Sequence, residues 1–436
     1  MSLKEMIKKV LQKEFTKSAI IYIISTFINL STPFFLLPIL TRYLTASEYG
    51  TVSMVNATIS FFLPFVSLGA NTAIQRIVIE KNYKKDEYIF NCLLISILAE
   101  IVMVFIFYYN KKIVFQKIGV PSDYINEILI IILSTVVIDI TLVILQMKKN
   151  EKKFAYFQNL MTISNFVFSS ILIINYNLGL NGRIYGIMFS KLCFSILGFY
   201  IIKKEVGINF KIRTSYMKDS LFNYGIPLIP TSIKSIALTY TDKVFITNMV
   251  SLAETGIYSV GNQFALPILF LAQAFNLAYV PWLFENLKKD DKNIKIKIVK
   301  LTYIYFVVIL IIVILWSFIS IPIIKFISGK EFYGATSYVF WLSLGYSFTG
   351  MHMMVVNYIY FYKKTKLYSL ITISVIIINI ILNYFFINYF GVIGASQATA
   401  VTNFISFILT WCLVIKICDM PWFNIKEDKC IKIKKY

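Results

Sequence analysis

Charge is scarce in this 436-residue sequence: Asp, Glu, Lys and Arg make up only 15% of it, against about a quarter of an ordinary soluble domain. There is one histidine, His352, with no His, Cys or carboxylate at ligand spacing, so no metal centre and no cofactor are expected. The five cysteines (Cys92, Cys193, Cys412, Cys418 and Cys430) are odd in number and unpaired in spacing. They exclude a disulfide framework, and four of them read as small core hydrophobes in or beside apolar runs. No glycine-rich phosphate loop occurs, so ATP hydrolysis has no support. What fills the chain instead is 58% apolar and aromatic residues, at a mean hydropathy of +0.71. Soluble enzymes, disordered chains and secreted disulfide scaffolds are excluded. The composition is that of an all-α polytopic membrane protein.

A helix needs about 20 apolar residues to cross the hydrocarbon. Such runs occur twelve times, near 18–40, 51–73, 88–109, 125–147, 156–175, 183–202, 222–246, 256–280, 301–324, 337–361, 367–387 and 392–415. They are continuous rather than alternating, which excludes a β-barrel. The run at 222–246 is the weakest, because Pro227, Pro230, Lys234, Asp242 and Lys243 all fall inside it. With the N-terminus placed inside, 33 of the 43 Lys and Arg fall in inner segments and 8 in outer ones. That bias predicts twelve spans with both ends cytoplasmic. It also accounts for the net charge of +21 without nucleic acid as a partner.

Residues 1–17 predict an amphipathic helix on the inner leaflet, with Leu3, Met6, Ile7, Val10 and Leu11 on one face and lysines elsewhere. This stretch is not a cleaved signal peptide, since the apolar run behind it is too long and lacks a small-residue cleavage site. Residues 417–436 form a basic cytoplasmic tail. All loops are short, so no extramembrane domain is expected to do chemistry in water.

The chain repeats itself. At an offset of 206, Thr41 matches Thr247, Glu48 matches Glu254, Gly50 matches Gly256, Ser53 matches Ser259 and Asn56 matches Asn262. At 212, Gly179-Leu-Asn-Gly182 matches Gly391-Val-Ile-Gly394. Six spans per copy is an even number, so the halves share one orientation in the membrane. The expectation is two six-helix lobes, 18–219 and 220–416, around a central cavity, the architecture of a carrier that alternates access.

The segments PILTRYLTASEYGTVSM (38–54), YGIPLIPTSI (224–233), YTDKVFI (240–246), ETGIYSVGNQFA (254–265) and FGVIGASQATA (390–400) carry a resemblance. In this order and spacing they resemble the polysaccharide flippases, the Wzx-type O-antigen and capsule exporters of the MATE-like multidrug/oligosaccharidyl-lipid/polysaccharide superfamily. The resemblance implies transport of undecaprenyl-diphosphate-linked oligosaccharides from the inner to the outer leaflet of the bacterial plasma membrane. It further implies the lipid bilayer, a proton or sodium gradient and the polysaccharide polymerase machinery as partners. One departure is that the acidic–basic pair of span seven, often Asp-Arg in the family, is Asp242-Lys243 here. Lysine binds phosphate as a point charge, not as a bidentate fork.

Charges at span centres are expensive and usually face the bundle interior. Here they are Glu100, Asp139, Lys191 and Lys234, with Arg42, Asp242 and Lys243 near outer ends. In the functional reading, Arg42, Lys191 and Lys234, with Asp242 and Lys243 beside them, serve a diphosphate and acidic sugars. Asn262 and Gln263 then serve sugar hydroxyls. Glu100 and Asp139 are candidates for carrying a coupling ion, and Pro227 and Pro230 for a hinge. Internal pairing is equally open: Glu100 or Asp139 with Lys191, and Asp242 with Lys234.

Three other functions fit parts of the pattern. An ion-coupled multidrug or cation exporter needs a carboxylate in the first half, which span one lacks but Asp139 supplies. A flippase for the peptidoglycan lipid precursor more often has extra spans and several first-half arginines. A membrane glycosyltransferase or polymerase needs a sizeable outer loop bearing an acid pair or an Arg/His cluster. The largest such loop, near 110–124, has only Asp123 and three lysines. No enzymatic reaction is expected.

Overall fold

Hydrocarbon offers no water to the backbone, so a chain this apolar has to satisfy each N–H and C=O within its own segments. The computed structural model, which describes residues 15–79, 83–111, 120, 122–289, 291–362 and 364–422, does this with helices; no strand occurs among the described residues. They run α1 (Phe15–Tyr43), α2 (Ala46–Ser67), α3 (Ala70–Ile79), α4 (Lys85–Tyr109), α5 (Ile125–Met147), α6 (Glu151–Ser170) and α7 (Gly179–Glu205). Then follow α8 (Thr214–Lys218), α9 (Ile226–Met249), α10 (Leu252–Leu287), α11 (Lys292–Ile327), α12 (Thr336–Phe361), α13 (Thr365–Phe390) and α14 (Val392–Ile417). Ten of them are long and apolar enough to cross a membrane. The first and seventh expected spans fall on α1 and α9, of 29 and 24 residues. Large apolar side chains point outward, Phe105, Leu277, Phe318 and Phe326 being 70–83% exposed, as suits a surface bathed in lipid. The amphipathic segment expected at 1–17, all but the first residues of the basic tail, and Cys430 lie outside the described residues.

The second apolar run is not one helix. Pro64 sits in the last turn of α2, and Leu68 (φ +42°) closes it by donating its N–H to the Pro64 carbonyl at 3.1 Å. Gly69 follows at φ +65°, and the chain restarts as α3. The expected span 51–73 is thus corrected to 46–67, because a left-handed pair interrupts an apolar stretch that hydropathy reads as continuous. Further on, widened π-type turns close α6 (Ile171–Asn175) and precede α9 (Asp219–Gly225). Pro227 accounts for the second: it cannot donate to a carbonyl one turn back, and the wider turn makes room for its ring.

The chain divides into two compact units, 1–240 with 251–256, and 241–250 with 257–436. In the first, α7 packs against α5 and α6, and α1 against α6. The segment leading to α8 is strapped to the start of α4. Arg213 pairs with the buried Glu87, Asn91 accepts from Arg213 N at 2.9 Å and donates to Lys211 O at 3.0 Å, and Tyr88 donates to Asp219 at 2.8 Å. In the second, α14 packs on α12 and α13, and α11 on α12. Its core closes with an aromatic cluster of Phe306, Phe407, Trp411 and Tyr303 that receives Trp422, just past α14. Tyr303 donates to the Trp422 carbonyl at 2.7 Å.

The repeat has physical counterparts in both halves of the sequence. Gly179, opening α7, and Gly391, just before α14, both adopt positive φ (+49° and +63°), which only glycine enters at no cost. Thr45 caps α2 in a reciprocal box with Glu48, and Ser251 caps α10 by accepting from Glu254 N at 3.1 Å.

Trp422→Ala is expected to destabilise the second unit by about 3–5 kcal/mol, the usual range for deleting a buried aromatic. A lower melting temperature of the purified protein in detergent checks this, and an unchanged one would show that the aromatic cluster closes without its last ring.

Candidate functional site

Polar side chains in a membrane bundle are informative because each needs a partner that lipid cannot provide. In the first unit they converge on α7. Arg183 Nη1 donates to Asn165 Oδ1 at 2.7 Å and to Ser169 Oγ at 2.6 Å, both on α6. Lys191, eight residues and about 12 Å further along the helix, interacts electrostatically with Asp139 of α5, which is also hydrogen-bonded by Asn71 of α3. Lys191 therefore has a carboxylate beside it, whereas Arg183 is held by neutral groups. Glu100 of α4 is 6% exposed, and neither of its oxygens has a hydrogen-bond partner among the described residues. Arg42 is exposed in the last turn of α1 and is not part of this group.

In the second unit the polar centre is Asp242, on the part of α9 that belongs there and 3% exposed. Its Oδ2 accepts from Tyr258 of α10 at 2.7 Å and from the Thr399 hydroxyl of α14, and its Oδ1 accepts from Asn383 Nδ2 of α13 at 2.8 Å. Lys243 adds its charge alongside. Asn383 is fully buried, and its Oδ1 has no partner among the described residues. One carboxylate is thus gathered with hydroxyl and amide oxygens from four helices. This donor set suits a proton or a hard monovalent cation, and among the described residues there is no cluster of His, Cys, Asp or Glu fit for a heavier metal.

Of the other sequence candidates, Asn262 accepts from Tyr346 at 2.7 Å and Gln263 is buried one residue on. Lys234 and Pro230 lie on the α9 backbone with their side chains outside the described residues; Pro227 is exposed at the start of that helix. His352 meets Tyr368 at 3.2 Å, a pairing within the bundle. Arg183, Tyr258, Asn383 and Thr399 were not singled out in the sequence. Arg183 counts there as an outer-loop charge, and the partners of Asp242 lie 16, 141 and 157 residues away.

Comparisons with known proteins give the family and the fold. The profile of the polysaccharide biosynthesis protein family matches residues 15–287. The chain belongs to that family. It is 25% identical over 361 residues to Lsg locus protein 1 of Haemophilus influenzae, covering 81% of this chain and 86% of that one. It is 21% identical over 249 residues to a Shigella flexneri protein described as an O-antigen transporter, covering 56% and 58%. Among solved structures, an inward-facing multidrug resistance MATE transporter superposes with a TM-score of 0.74 at 14% identity, over 90% of this chain and 94% of that one. The lipid II flippase MurJ superposes at 0.72 with 17% identity, over 92% and 87%. At those identities the likeness shows the fold: this family member is an all-helical multi-pass membrane protein with a transporter fold.

Asp242→Ala would strip three buried donors of their acceptor, each costing about 1–3 kcal/mol when left unsatisfied. Its melting temperature in detergent should fall well below that of Asp242→Asn, which keeps the size and part of the bonding. Equal melting of the two variants would mean that the carboxylate does not organise this cluster.

Proposed function

We propose that this protein flips undecaprenyl-diphosphate-linked oligosaccharide units from the inner to the outer leaflet of the bacterial plasma membrane, for surface polysaccharide synthesis. The observation that carries the reading is the family match over residues 15–287, joined to cations held inside the first unit. In this reading the chain crosses the membrane twelve times with both ends cytoplasmic, and the lobes 18–219 and 220–416 alternate exposure of the bound headgroup.

The chemistry follows from the pairings. A diphosphate arriving near α7 competes with Asp139 for Lys191, while Arg183, held by neutral Asn165 and Ser169 among the described residues, offers its charge without displacing an anion. Partial desolvation makes these attractions stronger than they are in water. Asn262 and Gln263 serve sugar hydroxyls, and the polyprenyl tail stays in lipid. Lys234, Lys243 and Arg42 remain candidate contacts. Glu100, Asp139 and Asp242 are the groups able to hold a coupling proton or sodium ion, and the wide turn before Pro227 and Pro230 is the candidate hinge.

A second reading, an ion-coupled multidrug or cation exporter, has in its favour the oxygen cluster at Asp242 and the fold shared with a multidrug transporter. A peptidoglycan lipid-precursor flippase shares the fold equally.

Complementation of a strain lacking its polysaccharide flippase decides between them: the first reading expects surface glycan to return. Drug efflux with no glycan favours the second. The double variant Lys191→Ala, Lys234→Ala should reach the membrane in normal amount and export at least tenfold less glycan, assayed by surface labelling. Full export by that variant would remove both lysines from the site.

A further inference from the structure

The offset-206 repeat returns as a contact. Inside the first compact unit the starts of α2 and α10 cross, and each sets its glycine against the other helix's first-turn carbonyl. A Cβ added at Gly50 would overlap the Leu252 carbonyl oxygen and lie 3.2 Å from Gly256 N. One added at Gly256 would overlap the Ala46 carbonyl oxygen and lie 2.9 Å from Gly50 N. Leu252 stands 206 residues after Ala46, as Gly256 does after Gly50, so the crossing is two-fold reciprocal. Both glycines are buried. What they contribute is bare backbone: Cα hydrogens facing carbonyl oxygens, weak bonds that form only where no side chain intervenes.

Two features make this crossing separable. Each helix start is capped within itself, Thr45 with Glu48 and Ser251 with Glu254, so neither needs the other to stay helical. Breaking a Cα–H···O contact also strands no buried charge, unlike breaking an ion pair. Residues 251–256 group with the first unit although the chain on both sides groups with the second, and this crossing is what they rest on.

We propose that the Gly50–Gly256 crossing is a latch of the transport cycle, closed in this structure and parted when the headgroup is released. The proposal rests on the flippase reading for what is released, but not for the opening itself.

The test uses the full chain with its five cysteines replaced by serine, carrying Ser47→Cys and Ala253→Cys, repeat-equivalent positions beside the crossing. Spin labels there report the separation by pulsed electron resonance in lipid vesicles. A short and a long population are expected, with Gly50→Ala and Gly256→Ala each raising the long-to-short ratio at least tenfold. Gly334→Ala, whose new Cβ makes an ordinary 3.4 Å contact with Ile257, should leave the ratio unchanged. One unvarying distance in all of them would overturn the latch. Should the alanine variants fail to fold, the glycines can stay in place and the two cysteines be joined by a reducible bismaleimide. Glycan export should then fall at least tenfold and return on reduction; export undiminished by complete cross-linking would also overturn it. Distances that respond in a protein unable to restore surface glycan would sink the flippase reading and leave the latch standing.

Discussion

The constraint on which everything else depends is that hydrocarbon cannot hydrogen-bond. An unsatisfied amide, hydroxyl or carboxylate at that depth costs kilocalories, so polar groups must find one another or face a cargo. Helices follow for the backbone. The hydroxyl caps at Thr45 and Ser251 follow for the donors at helix starts, and the gathering of Tyr258, Asn383 and Thr399 around Asp242 follows for a buried carboxylate. Phe105, Leu277, Phe318 and Phe326 invert the soluble rule because outside, here, is the apolar phase.

The same constraint explains what the sequence discloses. Length and continuity of apolar runs located the helices because each span is a local solution, needing no distant residue. Hydropathy failed at Leu68 and Gly69, where backbone handedness rather than polarity ends the helix, and at the π turn Asp219–Gly225, which leads into the missing N–H of Pro227. The repeat was visible as matched residues, Glu48 with Glu254 and Gly50 with Gly256, but not that the matched glycines touch. The site was the least legible part. Asp242 and Lys191 stand out as charges in apolar surroundings, yet the partners that give them meaning are common residues on helices up to 157 positions away. Arg183 was hidden differently: placed at the edge of an apolar run, it reads as a loop charge until α6 is seen to reach it.

The two units answer the constraint in different ways. In the first, Lys191 has Asp139 beside it, and Arg183 is solvated by an amide and a hydroxyl, neutral groups that hold a guanidinium without cancelling it. An anion entering there finds charge already desolvated. In the second, the carboxylate is surrounded by donors and accompanied by Lys243, so its charge is spread over hydroxyls and an amide, leaving oxygen lone pairs at Asn383 to spare. Such a cluster offers little to an anionic headgroup and more to a small cation or a proton.

Two halves that share helix starts and glycines but differ in embedded charge suggest how the labours divide. In the proposed cycle the shared features are caps that keep each helix intact, and a reciprocal backbone contact that opens without stranding a charge. In the proposed function the differing features meet different ligands, and they need not be symmetric because an anionic headgroup and a small cation are not alike. An ion pair in place of the glycine contact would have held more firmly, but each opening would then have left two charges unpaired in oil. Carbonyl against Cα–H is weak enough to part and geometrically strict enough to re-form, and only a residue without a side chain, on both sides at once, permits it.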